Sequence, residues 1–494
     1  MFANLFRAMA AAALLAAAPG AAFAAKTDIT VGMVLEPPHL DPTAGAPAAI
    51  DEVVYANVFE GLTRIGPNGE VQPALAESWE VSEDGLVYTF ALREGVSFHD
   101  GTSFEASDVV FALERAMGDA SENAQKGLFA AIEKVEAADD RTVRITLNRP
   151  AGDLLFNLGW GDAVIVAPES ADGNKSKPIG TGPFRFKDWT RGSALTLERN
   201  PDYWGAAPAL ETATFRFIPD PSAAVSAMLA GDVDAFPNFP APEALPQLEA
   251  DPRFAVVVGS TEGETILAMN NARKPFDDVR VRKAISHAID RKAIIDGAMF
   301  GLGTPIGTHF APHHPAYADL TAQSNFSVEK SKELLAEAGY PDGFKATIKL
   351  PPPSYARRGG EIVASQLRRV GIELEIIPVE WGVWVPEVFK GKDYDLTIVS
   401  HTEPMDIGIY GRDDYYFNYD SKVFDDILKK LDEETDQARR YELMREAQNV
   451  VAGDAVNGFL FQLAKAGVWD KRITGLWENS PVQANDLTGV SWSQ

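Results

Sequence analysis

The chain has no cysteine in 494 residues. That excludes disulfides, a lipid-modified N-terminal cysteine and any thiolate metal ligand, so the fold must be held by buried apolar surface. Cations are in short supply as well. The 45 Lys and Arg face 71 Asp and Glu, a formal charge of −26, which argues against nucleic acid or an anionic membrane surface as partner. Beyond the N-terminus no uninterrupted apolar run is long enough to cross a bilayer. Three short signatures are missing too: the G-x-S-x-G elbow, H-E-x-x-H and the P-loop G-x-x-x-x-G-K-[ST]. Without them there is no motif for a serine hydrolase, a zinc protease or a nucleotide site.

What is present begins, after Arg7, with "AMAAAALLAAAPGAAFA", whose Ala22 and Ala24 have the spacing of a secretory leader. We expect residues 1–24 to be removed, the mature chain to start near Ala25, and the product to be periplasmic. The chain is 46% hydrophobic, and the roughly 470 residues beyond the leader exceed one hydrophobic core, which predicts two or three domains.

The front of the chain is β-rich. "TDITVGMVL" alternates like a strand, and "WEVSEDGLVYTFALREGVSF" predicts two strands joined at Asp84-Gly85. "VEAADDRTVRITLNRP" and "TGPFRFKDWTRGSALTLERN" predict two further pairs. Between them "EASDVVFALERAM" is helical, with Ser107 as its candidate cap. From about residue 270 strands alternate with helices. "VRVRKAISHAIDRKAIIDGAM" has a helical period, and a helix opens at Ser327 and closes at Gly339. "KATIKL", "RRGGEIVASQLRRVG" and "IELEIIPV" then make a β-α-β unit, followed by a helix near "VWVPEVFKGK" and the strand "YDLTIVS".

In open α/β sheets ligands lie beyond the carboxyl ends of the strands. Two charged segments fall at such ends, "PPPSYARRGG" (351–360) and "SHTEPMDIGIYGRDDYY" (400–416). If their strands are neighbours, Arg357 or Arg358 and Glu403 or Asp406 line one crevice with opposite charges. That arrangement suits a zwitterion, because an Arg fork matches a carboxylate in two-point geometry. His401 and Tyr410 belong to the second segment and are candidate wall residues with it. Metal is the competing reading: "HFAPHHP" groups His309, His313 and His314, and imidazoles suit nickel or zinc. Their spacing has no helical face and two prolines stiffen the loop, so a solvated connector is expected and no cofactor is assigned.

The chain resembles the solute-binding proteins of bacterial ABC importers, in the class that includes dipeptide-, oligopeptide- and nickel-binding proteins (family 5). The likeness is carried by residues 58–116, by "GTGPFRFKDWTRGSALTLERNPDYWG", by "MLAGDVDAF" and by "PFDDVRVRKAISHAIDRKAII". It implies an α/β, two-lobed clamshell with an additional β-rich domain: 25–60, 180–265 and 466–494 in the first lobe, 61–179 in the additional domain, 266–465 in the second lobe. It implies a non-enzymatic role, capturing a short peptide between the lobes and delivering it to ABC permease transmembrane subunits, with a monomer expected. By the same resemblance Arg357 or Arg358 takes the ligand carboxylate and the 400–416 segment carries the acid for its ammonium. Here "TEPMD" departs from the usual Asp-Pro, which puts a standard dipeptide in question. Gly45 matches a loop whose backbone touches ligand, and Trp381 either stacks on a ligand side chain or packs between helices. The alternatives are a non-peptide solute (an opine or amino-acid conjugate, an oligosaccharide, a nickel chelate) or, in a different class, a secreted hydrolase using Glu403 and Asp406 as acid and base.

Overall fold

The computed structural model describes residues 26–45, 47–402 and 406–493. The expected leader, the start near Ala25 and Glu403 lie outside the described residues.

The front of the chain forms the expected hairpins. Ala76–Val81 pairs antiparallel with Val87–Leu92 across Gly85, whose φ of +69° places it in the left-handed region that glycine adopts without strain. Ile132–Asp139 pairs with Thr142–Leu147, and the four strands make one sheet. The helix Ala106–Met117 packs on it through Val109, Ala112 and Leu113. Ser107 is not its cap. Glu105 holds that position, and the Asp108 carboxylate accepts the Glu105 backbone N–H at 2.8 Å.

A second sheet of eleven strands runs through the rest of the molecule. Its frame is a long antiparallel pair, Phe254–Met269 against Asn457–Asp470. One flank carries Ala235–Phe236, Asp28–Met33, Thr212–Phe217, Ala194–Arg199 and Phe184–Thr190, and the other carries Leu396–His401, Phe344–Leu350 and Ile372–Pro378. The long pair breaks register between Ser260 and Glu264. On one side of the break the long pair is joined by Ala235–Phe236, on the other by Leu396–His401, so the break interrupts the sheet between its two flanks. The β-rich front of the chain also touches its later part. The Gly152 N–H donates to the Asp432 carbonyl at 3.3 Å, and the buried Arg440 fills the space where a Cβ on Gly152 would stand.

In the second lobe the β-α-β unit is present: Phe344–Leu350 and Ile372–Pro378 are parallel, joined by the helix Ser354–Arg368. Ser327 caps Val328–Glu337 by accepting the Lys330 N–H at 3.1 Å. The helical period over 279–299 is realised as two helices, Val279–Ala288 and Arg291–Met299. Asp290 starts the second by accepting the Ala293 N–H at 3.1 Å. Helices cover one face of this half-sheet around Leu267, Ile348 and Ile398, while Tyr394, Tyr416, Phe424 and their neighbours cover the other. Burial on both faces explains why "LTIV" shows no polar alternation.

Gly343 and Gly371 have φ of +78° and +88°, and a Cβ on Gly343 would run into the Gly371 carbonyl. We expect Gly343→Ala to destabilise the protein by about 1–3 kcal/mol, read as a lower urea midpoint. Among the described residues no helix is long and apolar enough to cross a membrane.

Candidate functional site

Strand Phe344–Leu350 lies parallel to both Ile372–Pro378 and Leu396–His401. The carboxyl ends of all three point toward the break, because His401 pairs with Glu264 while Leu396 pairs with Met269 at the far end. The strand ends at Leu350, Pro378 and His401 therefore lie at the same end of the sheet, beside the break.

Arg357 lies in the first turn of helix Ser354–Arg368. Its guanidinium donates to the Glu380 carboxylate at 2.7 Å and to the Val379 carbonyl at 3.4 Å, at the end of the neighbouring strand. The Arg357 side chain is 40% exposed and Glu380 75%, so water screens the pair and its worth is about 0–1 kcal/mol. The Arg357 Nε is buried and has no hydrogen-bond partner. Arg358 turns elsewhere, its guanidinium 5.8 Å from the Phe300 ring. Trp381, 40% exposed, stands edge-on to Trp384 at 5.4 Å, and Trp384 is anchored by donating to the Thr397 hydroxyl at 3.0 Å. Trp381 thus offers a free face on a rigid support.

The acids behave differently from the expectation. Asp406 is not a free acceptor: its Oδ1 lies 2.7 Å from Nε2 of His309, whose Nδ1 lies 2.7 Å from the Glu264 carboxylate. Burial alone would lower the His309 pKa, but the two carboxylates reverse that and push it up to about 10. Next to it the His313 Nε2 is 2.6 Å from Glu262, and its Nδ1 is 2.5 Å from the Ser260 hydroxyl. His314 stacks on Phe310 at 4.4 Å, and burial pushes its pKa down to about 3. The loop "HFAPHHP" is therefore no solvated connector. It is buried against the register break, where His309 and His313 meet the Glu264 and Glu262 carboxylates of the long strand. Among the described residues no three His, Asp or Glu side chains are placed to hold a metal ion.

Two further expectations are corrected. Tyr410 is 2% exposed, with its ring 5.4 Å from Phe417 and 5.4 Å from His309. His401 is 9% exposed and lies 2.9 Å from the Tyr416 hydroxyl. Both pack into the aromatic core, His401 at the end of a strand covered on both faces and Tyr410 in the short helix Asp406–Gly411 beside it. On the first lobe Gly45 follows the turn Pro42–Ala44, which Asp41 caps by accepting the Thr43 N–H at 3.0 Å. Arg115 pairs with Asp41 at 3.3 Å and steadies that loop. Sequence reasoning missed Glu264 and His309. The available signal was a glutamate opening the apolar run "ETILAM", which a buried strand tolerates only with a partner.

Residues 70–421 match the bacterial extracellular solute-binding proteins, family 5 middle. The chain is 32% identical to heme-binding protein A of Haemophilus influenzae over 65% of its own length and 64% of that protein. It is 30% identical to the dipeptide-binding protein of Escherichia coli over 78% of this chain and 80% of that one. Among solved structures, the unliganded open form of the periplasmic murein tripeptide-binding protein MppA overlays with a TM-score of 0.86 at 22% identity, covering 95% of this chain and 98% of that one. The Helicobacter pylori binding protein DppA in complex with the peptide STSA overlays with 0.72 at 28% identity, covering 95% and 99%. The chain belongs to the family 5 bacterial extracellular solute-binding proteins.

Proposed function

We propose that this chain captures a short peptide between its lobes and hands it to the permease subunits of an ABC importer outside the cytoplasm. We propose with it the division into lobes and an additional β-rich domain at the boundaries given above. The observation that carries the reading is Arg357. Its guanidinium stands at the carboxyl ends of parallel strands, is held by a solvent-screened pair and a long contact to the Val379 carbonyl, and keeps a buried Nε without a partner. A ligand carboxylate displaces Glu380 at small cost and satisfies the orphan donor. Trp381 supplies a flat apolar contact for the side chain that follows. Closure of the lobes on the ligand then selects the form that docks on the permease.

The occupied Asp406 favours a second reading for the other end of the ligand. A solute without a free α-ammonium, such as an opine or another amino-acid conjugate, needs no acid there. A thermal-shift screen separates the two, since a ligand raises stability by mass action. Di- and tripeptides with free C-termini are expected to raise Tm, and the same peptides amidated at the C-terminus are not. If amidated peptides shift Tm equally, Arg357 does not bind a carboxylate. If N-acylated but not free peptides shift it, the conjugate reading stands.

A further inference from the structure

Away from the gap, the second lobe encloses a cavity of about 280 Å³. Phe459 forms part of its wall, Lys283 and His287 line it from one face of helix Val279–Ala288, and Ser324, Asn457 and Gly453 lie around it. Asn457 pairs with Ala268, five residues along the strand from Gln462, which pairs with Glu264 at the break. At about 3.4 Å per residue the cavity is roughly 17 Å from the gap between the lobes.

Two buried guanidiniums stand near this cavity. Arg291, 9% exposed, donates to the Phe459 carbonyl at 2.7 Å, the Ser324 carbonyl at 3.1 Å and the Ser324 hydroxyl at 2.5 Å. Arg282, 7% exposed, donates to the carbonyls of Phe276, Asp454 and Ala455 at 2.8, 2.8 and 3.1 Å. Neither buried guanidinium has a carboxylate as hydrogen-bond partner. Their counter-charges stand off from them: Asp454 acts on Arg282 while accepting from the Tyr419 hydroxyl, and Asp319 acts on Arg291 while accepting from Thr321. Burial lowers Arg291 to about 10, which leaves it charged at neutral pH. Lys283 makes no ion pair among the described residues. Asn457 is 1% exposed, and its side chain lies beside the Tyr410 hydroxyl. Lys283 is the one Lys or Arg side chain in the cavity wall, and an anion in the cavity would give it a partner.

We propose that this cavity is a second binding site, for a small organic carboxylate. Lys283 meets the carboxylate. The Ser324 hydroxyl oxygen accepts from Arg291, which frees its O–H to donate to the same group. The Phe459 ring and the backbone at Gly453 face the carbon skeleton. Inorganic phosphate shares the charge but has no skeleton to fill the space.

The test titrates the mature protein at low salt with succinate and, separately, with inorganic phosphate, by calorimetry. Saturable succinate binding, tighter than phosphate, is expected. Lys283→Met weakens it by about tenfold or more. A Cβ at Gly453 meets no atom within 4 Å, so Gly453→Phe places its ring in open space; it abolishes binding while the urea midpoint holds. Arg357→Ala leaves it unchanged, which separates this site from the peptide site. Absence of saturable binding by the unmodified protein, or binding that survives both Lys283→Met and Gly453→Phe, overturns the proposal. Tighter binding of phosphate than of succinate overturns the carboxylate assignment.

Discussion

Replacing His309 with leucine is expected to cost about 3–5 kcal/mol, the range for removing one partner of a buried ion pair. The imidazolium is enclosed by the Glu264 and Asp406 carboxylates, and without it the fully buried Glu264 is stranded beside a second acid. The loss is read from urea unfolding at pH 7. Adding Glu264→Gln should return part of it, because the neutral amide no longer needs a counter-charge, and coupling between such neighbours is about 0.5–3 kcal/mol. The pH dependence has a definite sign. His309 in the folded state titrates at about 10, above its ordinary 6.5. Its contribution is therefore complete below about pH 6.5 and disappears as pH rises toward 10. His314 works in the opposite sense: held near 3 by burial, it lowers stability as pH falls below about 6.5, where the unfolded imidazole takes up a proton. Glu264, which its own burial pushes up to about 8, also loses stability as pH rises, so stability should fall above about pH 6.5, and the double variant His309→Leu/Glu264→Gln should flatten this alkaline limb. An unchanged alkaline limb in that variant would show that the ion pair is not what titrates.

The second large effect is on binding. Arg357→Ala is expected to weaken the peptide that gives the largest thermal shift by roughly 10- to 150-fold, the equivalent of one charged hydrogen-bonding group. Arg357→Lys should recover only part of this, since an ammonium keeps the charge but loses the fork. Arg358→Ala, whose side chain lies against Phe300, should change affinity little. Glu380→Gln should tighten binding slightly, because it removes the group that competes for Arg357. Calorimetry on the four variants decides the matter, and a loss in Arg358→Ala without one in Arg357→Ala would reverse the assignment.

Local rules located most elements of this fold. Strand alternation, the Asp84-Gly85 turn, the Ser327 cap and the glycines at 339 and 371 act over a few residues, and the structure follows them. The parallel neighbours that bring 351–360 and 400–416 together were legible through the β-α-β pattern and the preference for ligands at strand ends. What could not be read was pairing across distance. Glu264 and His309 are 45 residues apart and neither carries a mark that names the other. A histidine-rich loop with prolines has the composition of a surface connector, and only the acids at the register break draw it inward. The choice between Arg357 and Arg358 was equally hidden. Adjacent helical residues point about 100° apart, and what each one faces depends on Glu380 and Phe300, which lie far along the chain.

The route of the backbone bears on the order in which the molecule can be built. Trp492 donates its indole N–H to the Asp28 carbonyl at 2.9 Å, and the strand ending at Asp470 pairs with Ala235–Phe236 of the first lobe. Residues synthesised last are thus needed to finish a unit begun by residues synthesised first. The core of the second lobe, from Leu267 to Leu463, draws on one uninterrupted stretch. The sheet of the first lobe is completed only when a strand returns from the far side of that stretch, and such long-range closure is slow.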